Sequence, residues 1–95
     1  MAFIEVTYNE NGKIIEAVRV ASMERLYVNQ PLPAGHRAET LAVNNEGAFL
    51  VASLHNGIAD FVWTYRSPKT ASARHAMLVN KYGKDNVQTV EIQVA

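Results

Sequence analysis

Ser53, His55 and Asp60 stand close together along one segment of this 95-residue chain, and they are residue types from which nucleophilic sites are built. Such a triad works only when an imidazole bridges the other two and backbone donors receive the oxyanion. Side-chain alternation along strands turns Ser53 and Asp60 away from a common point, and no glycine elbow accompanies them. A small enzyme with a site near His55 and Asp60 is therefore the third reading. The histidines His36, His55 and His75 fall in a loop, a hairpin turn and a helix, without HExxH or other ligand spacing. On the apolar side of its helix, His75 reads as a hydrogen-bonded residue at the edge of the core. Glu5 and Glu16 lie across the first hairpin at positions expected to face solvent, with Arg19 as a cross-strand neighbour. The glycines sit singly at turns, so no phosphate-cradling loop exists. Neither a metal nor a cofactor is implied. Absence of cysteine excludes disulfides, zinc thiolates and thiol chemistry.

Charge is the stronger signal. Formal net charge is zero, but residues 1–65 hold four basic and seven acidic residues, net −3, while residues 66–95 hold five and two, net +3. Arg66, Lys69, Arg74, Lys81 and Lys84 fall in a stretch without a single acid. A neutral protein can thus present one basic face to phosphate or to an acidic protein surface. Beside it in sequence runs an aromatic row, Phe61, Trp63 and Tyr65, which strand alternation puts on one face. Unpaired bases stack on such rows when basic side chains are near. Equally, the rings form a floor for the helix that begins shortly after Tyr65. Tyr65, at the strand end beside Arg66, is the ring expected to be partly exposed.

The elements that position these residues follow from local rules. Phe3–Tyr8 alternates, with Ile4, Val6 and Tyr8 on one side. Asn9-Glu10-Asn11-Gly12 is a turn, and residues 13–21 return antiparallel. Residues 22–28 suit either a short helix capped by Ser22 or a strand, and the prolines of 29–35 make a loop. A strand over 37–43, a turn at 44–47, and strands over 48–54 and 58–65 around His55-Asn56-Gly57 come next. Ser67-Pro68 opens a helix that Gly83 closes. On a helical wheel Ala71, His75, Leu78, Val79 and Tyr82 make the apolar stripe, opposite Lys69, Arg74, Asn80, Lys81 and Met77. A strand over 86–94 ends the chain, with Val90, Ile92 and Val94 on one face.

The expected fold is a single α+β domain over residues 1–95: a curled antiparallel sheet of five to six strands with one helix, 68–82, packed on one face. No segment resembles a secretory leader or is long and apolar enough to span a bilayer, so a soluble, complete, cytoplasmic protein with no membrane partner is expected. The C-terminal strand carries few charges, which leaves homodimerisation through a sheet edge open.

The expected function is non-enzymatic binding. The chain would dock on a larger protein or ribonucleoprotein complex through Arg66, Lys69, Arg74, Lys81 and Lys84, with Met77 as apolar anchor and Tyr65 alongside. In character it resembles the small single-domain inhibitors that phages and mobile elements direct at host machinery, anti-CRISPR proteins among them. The alternative is direct DNA or RNA binding by the same basic face, which counterion release would make steeply salt-dependent.

Overall fold

The computed structural model describes residues 2–21 and 32–94. Its order is β1 (Ala2–Tyr8), β2 (Ile14–Val20), β3 (Arg37–Val43), β4 (Phe49–His55), β5 (Ile58–Tyr65), α1 (Pro68–Tyr82), a 3-10 turn at Lys84–Asn86, β6 (Val87–Glu91) and β7 (Gln93–Val94). The class is α+β, with one core cluster shared by its sheets. The ambiguous stretch 22–28 lies outside the described residues, as does the start of loop 29–35.

One expectation fails: the strands do not form a single sheet. They divide into a four-stranded sheet, β3-β1-β2-β7, and a three-stranded sheet, β5-β4-β6. The cause is a break in the C-terminal strand. Glu91 ends the ladder against β4, the Ile92 N–H donates to the Ala48 carbonyl at 2.8 Å, and Gln93 and Val94 then pair in parallel with Val18 and Arg19. Val90 packs against the core and Ile92 is buried in it, while Val94 stands 82% exposed. Residues 44–47 likewise carry the chain from one sheet to the other instead of closing a hairpin. A side chain bridges the same seam: the Gln88 amide accepts from the Ile14 N–H at 2.7 Å and donates to the Ile14 carbonyl at 3.0 Å. A strand neighbour would make the same pair of bonds.

Between the sheets lie Ile4, Val6, Tyr8, Ala17, Leu50 and Ile92, among others. On the far face of the three-stranded sheet, Val51 and Val87 pack with Ala71 and Leu78 of α1. The middle strand β4 is therefore buried on both sides, which explains its freedom from charge. Both hairpins carry a bulge. The ladder skips Ile15 between the pairs Thr7–Glu16 and Tyr8–Ile14, and skips Asp60 between Ser53–Phe61 and Leu54–Ala59. The β4–β5 turn is Asn56-Gly57, both at positive φ (51° and 74°), as a two-residue hairpin turn requires.

Glu5 corrects a second expectation. Instead of facing solvent it is 7% exposed, opposite Val18 on one side and Thr40 on the other. Nor does Arg19 meet the glutamates. Register places it opposite Ile4, on the other face of the sheet, where its guanidinium donates to the carbonyls of Glu46 and Gly47 at 2.9 and 2.7 Å.

Candidate binding surface

Helix α1 forms where sequence rules put it. The Ser67 hydroxyl accepts from the N–H groups of Lys69 and Thr70 at 3.2 and 3.4 Å, a cap of about 1 kcal/mol. Pro68 follows at the first helical position. At the other end Gly83 takes φ 90° and donates its N–H to Val79 at 2.8 Å. The helix lies across the outer face of the three-stranded sheet with Ala71 and Leu78 inward. His75 flanks that stripe, its Nδ1 2.8 Å from the Thr89 hydroxyl, as its core-edge position implied. Tyr82 does not join the stripe fully and is 38% exposed.

The other flank of α1 meets β5, one of the two outer strands of its sheet among the described residues. Here Arg74, expected on the open basic face, is half-buried. Its Nε donates to the Tyr65 hydroxyl at 2.9 Å and its Nη1 points to the Met77 sulfur at 3.4 Å. Tyr65 packs with Phe49, Phe61 and Val79 against the helix cluster. The ring that emerges is Trp63. It is 43% exposed and stacked on Phe61 with centroids 6.0 Å apart and planes 15° from parallel. Tyr65 is half-buried, a partly exposed ring as its place at the strand end implied; Trp63 sits opposite Val51 and Tyr65 opposite Phe49, and Arg74 holds the Tyr65 hydroxyl at the helix flank. Met77 stands 57% exposed nearby along the helix.

Against family models, curated protein sequences and solved structures, the chain has no significant match.

Of the residues singled out by sequence, three are brought together: Tyr65, Arg74 and Met77 form one hydrogen-bonded unit. Arg66, Lys69, Lys81 and Lys84 are exposed, and among the described residues no hydrogen bond joins them to that unit. Lys81 instead stands over the Tyr82 ring, 5.2 Å from its centroid, a cation–π contact at the helix end. Sequence reasoning missed Trp63 as the exposed ring. The available signal was its place in the middle of a strand whose end is held by a polar partner.

Ser53, His55 and Asp60 do not assemble. The Ser53 hydroxyl is buried and accepts from the Phe61 N–H at 3.2 Å. Asp60 is the bulge residue, and both it and His55 are exposed. Among the described residues no three His, Asp or Glu side chains group to hold a metal ion, and no helix is long and apolar enough to cross a membrane.

Proposed function

We propose that the chain is a non-enzymatic binding protein that docks on a larger protein or nucleoprotein complex through the flank of α1 that meets β5. The observation that carries this reading is the exposure of Trp63, two residues from Tyr65 on the same strand, and of Met77, whose sulfur meets Arg74, with Arg74 and Tyr65 hydrogen-bonded to each other. Tryptophan, tyrosine and arginine dominate the energetic centres of protein interfaces, and methionine adapts to irregular partners. Exposed Arg66, Lys69, Lys81 and Lys84 make a basic rim that steers an acidic partner and suppresses basic ones. The arrangement favours protein over phosphate as the primary contact, because Met77, 57% exposed beside Arg74, is an apolar side chain that a phosphate backbone would leave uncovered. An inhibitor of host machinery would use such a surface by occupancy, which needs no reactive group.

Site-specific photocrosslinking in native cells tests the reading. A benzophenone side chain replaces Trp63 or Met77 in two variants and Ile15, on the other sheet, in a control. The expected result is one shared protein adduct from positions 63 and 77, absent from position 15 and lost when Arg74→Glu and Lys81→Glu are added. Equal adducts from all three positions would remove the docking surface. Adducts to nucleic acid alone, with binding that falls steeply with salt, would transfer the surface to DNA or RNA.

A further inference from the structure

Away from α1, three turns meet at one end of the molecule around a cavity of about 400 Å³. Its walls come from the β1–β2 turn, the residues before β3, and the β4–β5 turn, with Glu10, Gly12, Arg37, Asn56, Gly57 and Ile58 among the lining residues. We propose that this cavity binds a small amino-acid-type zwitterion, a free amino acid or short peptide, with its carboxylate on Arg37 and its ammonium toward Glu10.

The floor is fixed before any ligand arrives. The Arg37 guanidinium lies over the Tyr8 ring, 4.1 Å from its centroid, and donates to the Gly57 carbonyl. Its second amino group is 3.9 Å from the Glu39 carboxylate, a loose contact that leaves the fork reachable. A planar fork held by stacking has already lost most of the freedom that binding would cost it. Gly12 and Gly57 touch through their backbones: a Cβ on Gly12 would sit 2.5 Å from the Gly57 Cα. A side chain at position 12 would thrust the turns apart and remove the floor, while Gly57 is fixed as glycine by its φ of 74°.

The lining then dictates the ligand. One cation and one carboxylate on the walls of the same cavity favour neither a simple anion nor a simple cation. They suit a molecule that carries both charges and hydrogen-bonding groups between them, because each charge then meets its opposite. Asn56, held at φ 51° in the turn, adds an amide for the ligand's middle. Ile58, 51% exposed, offers an apolar wall for a side chain. At this volume the cavity is at the small end of ligand sites, which fits a few residues of peptide and not a large cofactor.

Titration by amide NMR with glycine, Gly-Gly and Gly-Gly-Gly tests the proposal, since each added residue separates the charges by up to about 3.5 Å. The expected result is saturable shifts centred on Gly12, Asn56 and Gly57 with one ligand of the series preferred. N-acetylation or C-amidation of that ligand should each weaken binding at least tenfold. Arg37→Gln should do the same. Because that change also removes the contact with Tyr8, Glu10→Gln on the exposed rim serves as the second variant and should reproduce the loss seen with the N-acetylated ligand. Absence of shifts at 50 mM of all three ligands would overturn the proposal. So would equal binding of capped and uncapped forms, or binding of acetate as strong as that of the best peptide.

Discussion

Thr64 and Glu5 are both polar residues on strands, 0% and 7% exposed, yet among the described residues only Thr64 has every buried polar atom paired. The Thr64 hydroxyl lies 2.9 Å from Asn44 Oδ1, 2.8 Å from Asn45 Oδ1 and 3.1 Å from the Asn45 carbonyl, so its one hydrogen always has an acceptor. Its backbone N–H donates to Asn44 Oδ1 at 2.8 Å. In contrast, Glu5 Oε2 and the hydroxyl of its register neighbour Thr40 are buried and have no hydrogen-bond partner among the described residues. Position within the sheet accounts for the difference. Thr64 is near the end of an outer strand, where the loop that crosses between sheets folds over it and supplies side-chain amides. Glu5 is in the middle of β1, flanked by β2 and β3, where neighbouring backbone is already committed to the ladder. A buried polar side chain is stabilising only if something other than the ladder can reach it.

The largest expected effect breaks the satisfied member. Thr64→Val keeps the shape and removes only the hydroxyl; Asn44 Oδ1 keeps the position-64 N–H and Asn45 Oδ1 keeps the Gly47 N–H, so what is lost is the hydroxyl's own hydrogen bond to them. Loss of about 1.5 kcal/mol is expected, the upper end of what one intramolecular hydrogen bond contributes. Urea unfolding measures it, and a change under about 0.5 kcal/mol, within ordinary surface noise, would mean that the clasp contributes no stability.

That clasp also marks where sequence reading stops. The helix from Pro68 to Tyr82 and the strands Arg37–Val43 and Ile58–Tyr65 were legible because their signals are local: a Ser-Pro start, a glycine stop, period-two alternation. The division into two sheets was not. It depends on Ile92 turning the chain from β4 to β2, and on Gln88 bonding with Ile14 across 74 positions, neither of which leaves a local pattern. At the candidate surface, Tyr65, Arg74 and Met77 were legible as residue types on neighbouring elements. The hydrogen bond that draws Arg74 off the basic face and leaves Trp63 exposed is a tertiary choice between two aromatic rings of the same strand face. The bulges matter in the same way, since skipping Asp60 shifts every pairing beyond it by one position.

The opposite sign is expected for the unsatisfied member. Glu5→Val replaces a shielded carboxylate by a β-branched side chain suited to a central strand. Removing a buried polar group that lacks its partner stabilises, here by about 1 kcal/mol. The same urea titration reads it, and the pair Thr64→Val and Glu5→Val should move the midpoint in opposite directions. Destabilisation by Glu5→Val would show that the carboxylate has a role that burial conceals.

Tyr8 sharpens the comparison because it is fully buried and yet satisfied, by a carboxylate of its own sheet and a backbone N–H of the other. Its hydroxyl donates to Glu39 at 3.0 Å and accepts from the Ala59 N–H at 3.4 Å, so it ties β1 and β3 to β5. Burial pushes its phenol up from 10.0 to about 12; the nearby Glu39 carboxylate adds to the rise and the Ala59 N–H opposes it. With the folded value above the unfolded one, the folded state binds the proton more tightly. The resulting stability is fully present below pH 10 and is lost as pH rises through 12. Tyr8→Phe should cost about 0.5–1.5 kcal/mol at neutral pH through the lost hydrogen bond. It should also flatten the decline between pH 10 and 12 relative to the parent protein, with the other tyrosines and the lysines contributing equally to both. Urea midpoints collected across that range decide the matter: parallel curves for the two proteins would mean that folding does not tighten the hold of Tyr8 on its proton.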